Sequence, residues 1–221
     1  GYGFLEHSQD HIREFFKNCK QIAFIPYAAK DMDEYAKIAS AAFQKLFNLP
    51  VVSVHDRTKY DAAASAVEAS DGIFVGGGNT FRLLNQIYQN NLIPVIRKRV
   101  LQDGVPYMGS SAGTNIAGLT IKTTNDMPIV FPPSFDALNL ISIQLNPHYL
   151  DADPTSKHKG ETRETRLKEF HEENDTTVVA IREGAIIRVV DDKVTLIGAN
   201  GGRIFWKEQG KFTIHEAENN A

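Results

Sequence analysis

Across 221 residues the sequence contains one cysteine, Cys19, and one tryptophan, Trp206. A lone thiol cannot close an intrachain disulfide, and no Cys/His spacing of a structural zinc site accompanies it. That scarcity points to a reducing, cytoplasmic compartment. An excess of basic residues is also missing: 24 Lys and Arg stand against 27 Asp and Glu, for a formal net charge of -3. The electrostatic footprint of a nucleic-acid binder is therefore absent. No apolar run approaches the roughly 20 residues of a membrane-spanning helix, and Gly1 to Asp10 has neither the basic start nor the apolar core of a signal peptide. What is present, 42% hydrophobic and 23% charged residues, is the composition of an ordinary globular domain. One domain spanning 1–221 is expected, with no nucleic-acid, membrane, metal or organic-cofactor partner.

Short apolar runs alternate with longer amphipathic ones through most of the chain, the pattern of a mostly parallel sheet covered by helices on both faces. Ile22 to Ile25, Val51 to Val54, Gly72 to Val75 and Val105 to Met108 read as strands, the first of them, too short for a helix and without polar alternation, as a buried parallel strand. Helical spacing appears in Leu5 to Lys17, in Asp31 to Phe47 (with Tyr35, Ile38, Ala42, Phe43 and Leu46 on one face), and in Tyr60 to Ala69. It recurs in Phe81 to Gln89, Ile93 to Gln102 and Glu161 to Glu173. From Ile121 to Tyr149 the pattern dissolves into turn residues, and an irregular stretch of that length is usually functional. Four short runs, Val178 to Ile181, Ala185 to Val190, Val194 to Ile197 and Arg203 to Trp206, predict a C-terminal β meander with Asp191-Asp192 as a hairpin turn. The residues after it read as a polar tail.

The sharpest local signal is Gly109-Ser110-Ser111-Ala112-Gly113, a G-x-S-x-G run between a predicted strand and a predicted helix. Glycines on both sides permit the tight turn that lifts a serine hydroxyl above a sheet edge, which makes Ser111 the candidate nucleophile. Ser110 is a rival hydroxyl without glycines in register. The Ala112 amide would supply one oxyanion donor, and Gly77 or Gly78, in the triple glycine after another strand, the second.

A serine nucleophile needs a base. Of seven histidines, His7, His11 and His171 lie on Glu-rich helical stretches, His55 follows a strand and His215 lies in the tail. His148, in Gln144-Leu145-Asn146-Pro147-His148, follows an apolar run at the edge of the long loop and is favoured, with His158 second. Two carboxylates are available to hold its tautomer: Asp126, in a turn fifteen residues past the serine, and Glu183, immediately after the Val178 to Ile181 strand. The strand-end position favours Glu183.

These residues lie within longer runs: Phe74-Val75-Gly76-Gly77-Gly78-Asn79-Thr80-Phe81, Gly109 to Asn115, Thr123 to Val130, Asn146-Pro147-His148, and His158-Lys159-Gly160-Glu161-Thr162-Arg163-Glu164. In that order they resemble the peptidase E family of α-aspartyl dipeptidases, over the chain from its first helix to about Gly198. The resemblance implies a serine peptidase that cleaves dipeptides with an N-terminal aspartate, on a flavodoxin-like fold related to class I glutamine amidotransferases. It implies Ser111 as nucleophile and His148 as base, and leaves Glu183 and Asp126 both open as the third member. Family members begin with an apolar strand and a Ser/Asn-rich turn, so the single domain expected here lacks that strand. The residue before the nucleophile, often tryptophan in bacterial members, is Ser110.

On this basis Arg163 is expected to receive the substrate's side-chain carboxylate, since a guanidinium pairs carboxylates bidentately. On spacing alone, pairing with Glu161 or Glu164 competes. Asn79 is placed beside Arg163 as a substrate-binding residue, and Asp126, if not the orienter, can take the substrate's amino group. The expected partners are Asp-containing dipeptides, and the assembly a monomer or homodimer. Competing readings are an α/β-hydrolase esterase, a cyanophycinase-like enzyme and, most distant, a nucleotide-binding module using Gly76-Gly77-Gly78.

Overall fold

The structure, a computed structural model, describes residues 5, 8–153, 155, 160–191 and 193–217. The chain divides into two compact units. One comprises the residues up to Ile121 with Asp126–Ser142, and the other Lys122–Asn125 with the residues from Ile143 onward.

The first unit is built on four parallel strands, β1 (Ile22–Ile25), β2 (Val51–Ser53), β3 (Gly72–Val75) and β4 (Tyr107–Gly109), in the order β2-β1-β3-β4. Six helices connect and cover them: α1 (Gln9–Phe15), α2 (Met32–Phe47), α3 (Ala63–Glu68), α4 (Thr80–Gln89), α5 (Leu92–Leu101) and α6 (Ala112–Ala117). The unbroken apolar runs have the expected cause, because β1 and β3 are buried at every position. Successive strand side chains face opposite ways. Ala23, Ile25, Ile73 and Val75 therefore enter one core with Leu83, Leu84, Ile96 and Ile116, while Ile22, Phe24 and Phe74 enter the other with Ile12, Ala39 and Phe43. Two cores on one sheet are what helices on both faces produce. This strand order is that of flavodoxin-like sheets, whose ligands sit beyond the carboxyl ends of the strands where the order reverses. That reversal lies between β1 and β3, and the triple glycine leaves β3 there.

On α2 the buried row is Ala39 and Phe43, with Tyr35 one turn earlier packed against the same core. Ile38, expected on that face, is instead exposed. Residues four apart stack on a helix, so a row through positions 35, 39 and 43 turns position 38 outward.

In the second unit β5 (Gln144–Pro147) pairs parallel with β6 (Val178–Ile181). β9 (Gly202–Glu208) runs antiparallel to β6, and β10 (Lys211–Ala217) antiparallel to β9. Helix α7 (Arg163–Glu173) contributes Leu167 to a core of Tyr149, Val178, Ala180 and Phe205. β7 (Ala185–Val190) and β8 (Lys193–Gly198) form a hairpin whose register pairs Val190 with Lys193, and strands β6 to β10 make up the C-terminal meander. In the hairpin turn Asp191 is left-handed at φ 52°, and Asp192 lies outside the described residues.

Two strands were missed because polar residues interrupt them. β5 carries Gln144 and Asn146, both buried. Asn146 is accommodated there because its Nδ2 donates to the Thr123 carbonyl at 2.7 Å and to Asn125 Oδ1 at 3.1 Å. Residues 211–217, read as a polar tail, form β10, in which Phe212 and Ile214 pack on the core while His215 pairs with Ile204 of β9.

Candidate active site

The serine turn lies wholly in the first unit. Ser111 occupies the junction of β4 and α6 at φ 51°, ψ -107°, a region costing a non-glycine residue about 1–3 kcal/mol. The two glycines are required by space. A Cβ on Gly109 would fall 2.4 Å from the Gly113 carbonyl group, and one on Gly113 would fall 2.3 Å from the Val75 oxygen. Hydrogen bonds hold the turn: Ser110 N–H to the Val75 carbonyl at 3.0 Å, Gly113 N–H to the Ser110 carbonyl at 2.9 Å, and Asn115 N–H to the Ser111 carbonyl at 3.0 Å. Two side chains brace it further, the Tyr107 hydroxyl donating to the Gly113 carbonyl at 2.6 Å and Thr114 Oγ1 to the Gly109 carbonyl at 2.9 Å. Burial keeps the Tyr107 phenol protonated far above its ordinary range, so it acts as a fixed donor.

The triple glycine lies against this serine. A Cβ on Gly77 would stand 3.0 Å from Ser111 Cβ and 3.7 Å from its Oγ. Of the two loop amides considered as oxyanion donors, that of Gly77 donates to the Tyr35 hydroxyl at 2.9 Å.

His148 and Glu183 both belong to the second unit. They leave adjacent parallel strands whose register sets Pro147 opposite Ile181, and the Tyr149 N–H donates to the Ile181 carbonyl at 2.9 Å. At that height the His148 ring reaches the carboxylate, and its Nδ1 is hydrogen-bonded to Glu183 Oε1. An ionised carboxylate only accepts, so the proton of a neutral imidazole sits on Nδ1. Like Ser111, His148 has a left-handed backbone, with φ 60°. Most other described non-glycine residues with positive φ are Asn or Asp (Asn48, Asn91, Asn139, Asp191 and Asn200), which tolerate that region.

The next residues along both strand exits are tied by charge. Arg182, beside Glu183, donates to both oxygens of Asp151, at 2.7 and 3.1 Å, and to both of Glu216. These bonds hold the Asp151 and Glu216 carboxyls below their ordinary range. Arg203 adds contacts to Asp151 at 3.0 Å and Glu164 at 3.3 Å.

The other carboxylate of the sequence reading, Asp126, is in the first unit at the start of α4. Its Oδ2 accepts from the Thr80 N–H at 2.7 Å and from the Thr80 hydroxyl at 2.6 Å. Asn79 caps the same helix, its Oδ1 accepting from Arg82 N–H at 3.0 Å while its Nδ2 donates to the Met127 carbonyl at 2.8 Å.

Arg163 opens α7 and lines a small cleft with Lys122, Thr124, Asn125 and Arg166. Near it Glu161 meets Arg166 at 3.6 Å and Glu164 meets Lys168 at 2.8 Å. His158, the second base candidate, lies outside the described residues, as does His7. His55 bonds Ser53 at 2.6 Å and Asp33 at 3.0 Å, and His171 is buried with its Nδ1 at 3.2 Å from the Asn174 carbonyl oxygen.

Two groups, one in each unit, escape the sequence reading. In the sequence pattern Tyr35 reads only as an apolar-face residue. Its one signal was position, in the helix entered from the carboxyl end of β1. Arg182 sits in a turn between strands and has no pattern of its own.

Among the described residues no helix is long and apolar enough to cross a membrane. The family model of peptidase family S51 matches residues 1–197. A Drosophila melanogaster protein named "probable alpha-aspartyl dipeptidase" is 44% identical over 95% of this chain and 87% of its own length. A protein of Streptomyces coelicolor named peptidase E is 48% identical over 93% of this chain and 82% of its own. Among solved structures, a Listeria monocytogenes protein titled "Putative Peptidase E Protein" superposes with a TM-score of 0.67 at 24% identity, covering 89% of this chain and 95% of that one. At that identity the likeness concerns the fold.

Proposed function

The chain belongs to peptidase family S51, and from that premise we propose that it is an α-aspartyl dipeptidase, cleaving Asp–Xaa dipeptides through an acyl-enzyme on Ser111. The observation that supports this reading is the pairing of a 44% identical relative named "probable alpha-aspartyl dipeptidase", matched over 95% of the chain, with the strained backbone of the serine turn, a conformation of the kind found where a nucleophile is presented.

In this mechanism Ser111 Oγ attacks the carbonyl of the aspartyl residue as His148 Nε2 takes its proton. Glu183 holds the ring by its Nδ1–H and stabilises the imidazolium that forms. The negative charge developing on the carbonyl oxygen is received by the amides of Ala112 and Gly78, because that of Gly77 is engaged with Tyr35. Collapse of the tetrahedral intermediate breaks the C–N bond, and His148 returns its proton to the leaving amine. Water, activated by the same imidazole, then hydrolyses the ester and releases aspartate. Arg163, which lines a cleft with Lys122 and Arg166, is assigned to the substrate's side-chain carboxylate. Asp126 and Asn79 are assigned to shaping: together they fasten the Asp126–Met127 segment to the start of α4.

A serine-directed fluorophosphonate tests the nucleophile. One adduct is expected, on the peptide carrying Ser111, and excess Asp-Leu should slow its formation. An adduct elsewhere, or none, would overturn the assignment.

A further inference from the structure

We propose that Tyr35 is a positioning residue for catalysis, its hydroxyl fixing the Gly76–Gly78 loop so that an amide of that loop is aimed at the oxyanion formed on Ser111. The inference rests on the Ser111 reading and deepens it.

Three consecutive glycines form the most freely rotating segment a chain can have, and an oxyanion donor helps only when its direction is set beforehand. The ends of this loop are pinned by backbone. Gly76 N–H donates to the Ile25 carbonyl at 3.1 Å, and Asn79 N–H to the Ala28 carbonyl at 3.0 Å. Its middle is pinned by a side chain, the Tyr35 hydroxyl, which accepts from Gly77 N–H at 2.9 Å. Gly77 is also the loop residue that lies on the serine, its Cβ position 3.7 Å from Ser111 Oγ. Fixing the Gly76–Gly77 peptide plane leaves only the two torsions of Gly77 to direct the next amide, that of Gly78. Gly78 itself is held at φ 135°, where a Cβ would fall 2.6 Å from the Ala28 oxygen.

The tyrosine is placed for this by its own packing. Its ring stands edge-on to Phe24 of β1, with centroids 5.1 Å apart at 89°. It leaves no room beside Gly76, where a Cβ would be 2.6 Å from Cε1 and 2.7 Å from the hydroxyl oxygen. Ring and hydroxyl therefore do separate jobs: the ring fills the core end of α2, and the oxygen holds the loop.

Tyr35→Phe separates the two. The ring contact survives, so the melting temperature should stay within a few degrees. With Asp-Leu, kcat should fall about tenfold to a hundredfold, less than the roughly 10²–10³ for losing a donor outright, while KM stays within about threefold. An aspartate-derived aldehyde adds to the serine and places its oxygen in the oxyanion position, whereas the product aspartate does not form that adduct. Tyr35→Phe should weaken the aldehyde in proportion to kcat and aspartate by less than about threefold. A kcat within twofold of the parent, or equal weakening of aldehyde and aspartate, would overturn the proposal. Ser111→Ala measured alongside distinguishes the failures: an active Ser111→Ala overturns the serine reading, whereas an inactive one beside a parent-like Tyr35→Phe overturns the role of Tyr35 alone.

Discussion

The His148 Nδ1–H meets Glu183 Oε1 because β5 and β6 run parallel and in register, releasing the two residues from neighbouring strand ends. Asp126, the alternative carboxylate, is committed to Thr80 through two hydrogen bonds. The two acids should therefore respond to substitution in opposite ways. Glu183→Gln should lower kcat by about 10²–10⁴ with little loss of stability, since an amide no longer stabilises the imidazolium. Asp126→Asn should cost about 1–3 kcal/mol of stability in urea melts, by weakening bonds at the start of α4, and keep kcat within about tenfold. A reversed pattern would move the orienting role to Asp126.

Gly113 and Gly104 provide a matched pair for the turn geometry. A Cβ at Gly113 collides with the Val75 oxygen at 2.3 Å, whereas one at Gly104, φ 70°, has nothing within 4 Å. Gly104→Ala should cost only backbone strain, about 1 kcal/mol. Gly113→Ala should cost about 3 kcal/mol or more and take activity with it, because backbone, unlike a side-chain tip, cannot step aside. Equal melting temperatures for the two variants would contradict the packing described for the turn.

Cys19 should be chemically quiet. Burial, with the nearby Asp71 charge adding to it, pushes its thiol up to about 11, and the Sγ–H donates to the Asp71 carbonyl at 3.2 Å. At pH 8 that leaves on the order of 0.1% thiolate. Iodoacetamide should leave the native protein unmodified over a time that fully labels it in urea. Labelling of the native form as fast as free cysteine would contradict this.

Acid should destabilise the second unit in two stages. Burial lowers the pKa of His171, so the folded state binds this proton less readily than the unfolded chain. Its contribution is complete above the unfolded value near 6.5 and declines as pH falls below that. Asp151 and Glu216, held low mainly by their bonds to Arg182, contribute stability above about pH 4 and lose it as pH falls further. Thermal melts from pH 7.5 to 3 should show a first decline setting in below about pH 6.5, flattened in His171→Gln, and a second below about pH 4. A first decline of the same size in His171→Gln would remove His171 as its cause.

The parallel sheet and its helices were legible because full burial on both faces forces unbroken apolar runs, as in Ile22 to Ile25 and Gly72 to Val75. The serine turn was legible because its glycines answer to space that only glycine fits. Gln144 to Pro147 stayed hidden because hydrogen bonding, not hydrophobicity, accommodates Asn146 in a buried strand. Lys211 to Ala217 stayed hidden because charges dilute its two-residue alternation. Whether Gly77's amide was available depended on a contact with Tyr35 across 42 residues of sequence, which no local pattern encodes. The commitment of Asp126 to Thr80 across 46 residues was equally out of reach.

The central claim is that Ser111 cleaves peptides chosen by an N-terminal aspartate, and initial rates on Asp-Leu and Leu-Leu with the parent chain and Ser111→Ala test it most directly. A parent kcat/KM at least about a hundredfold higher for Asp-Leu is expected, as bidentate pairing of the substrate's side-chain carboxylate by Arg163 requires. Ser111→Ala should lower Asp-Leu turnover by at least about 10³-fold while keeping the parent's circular dichroism spectrum and melting temperature. Equal rates on the two dipeptides, or parent-like turnover by Ser111→Ala, would contradict the account.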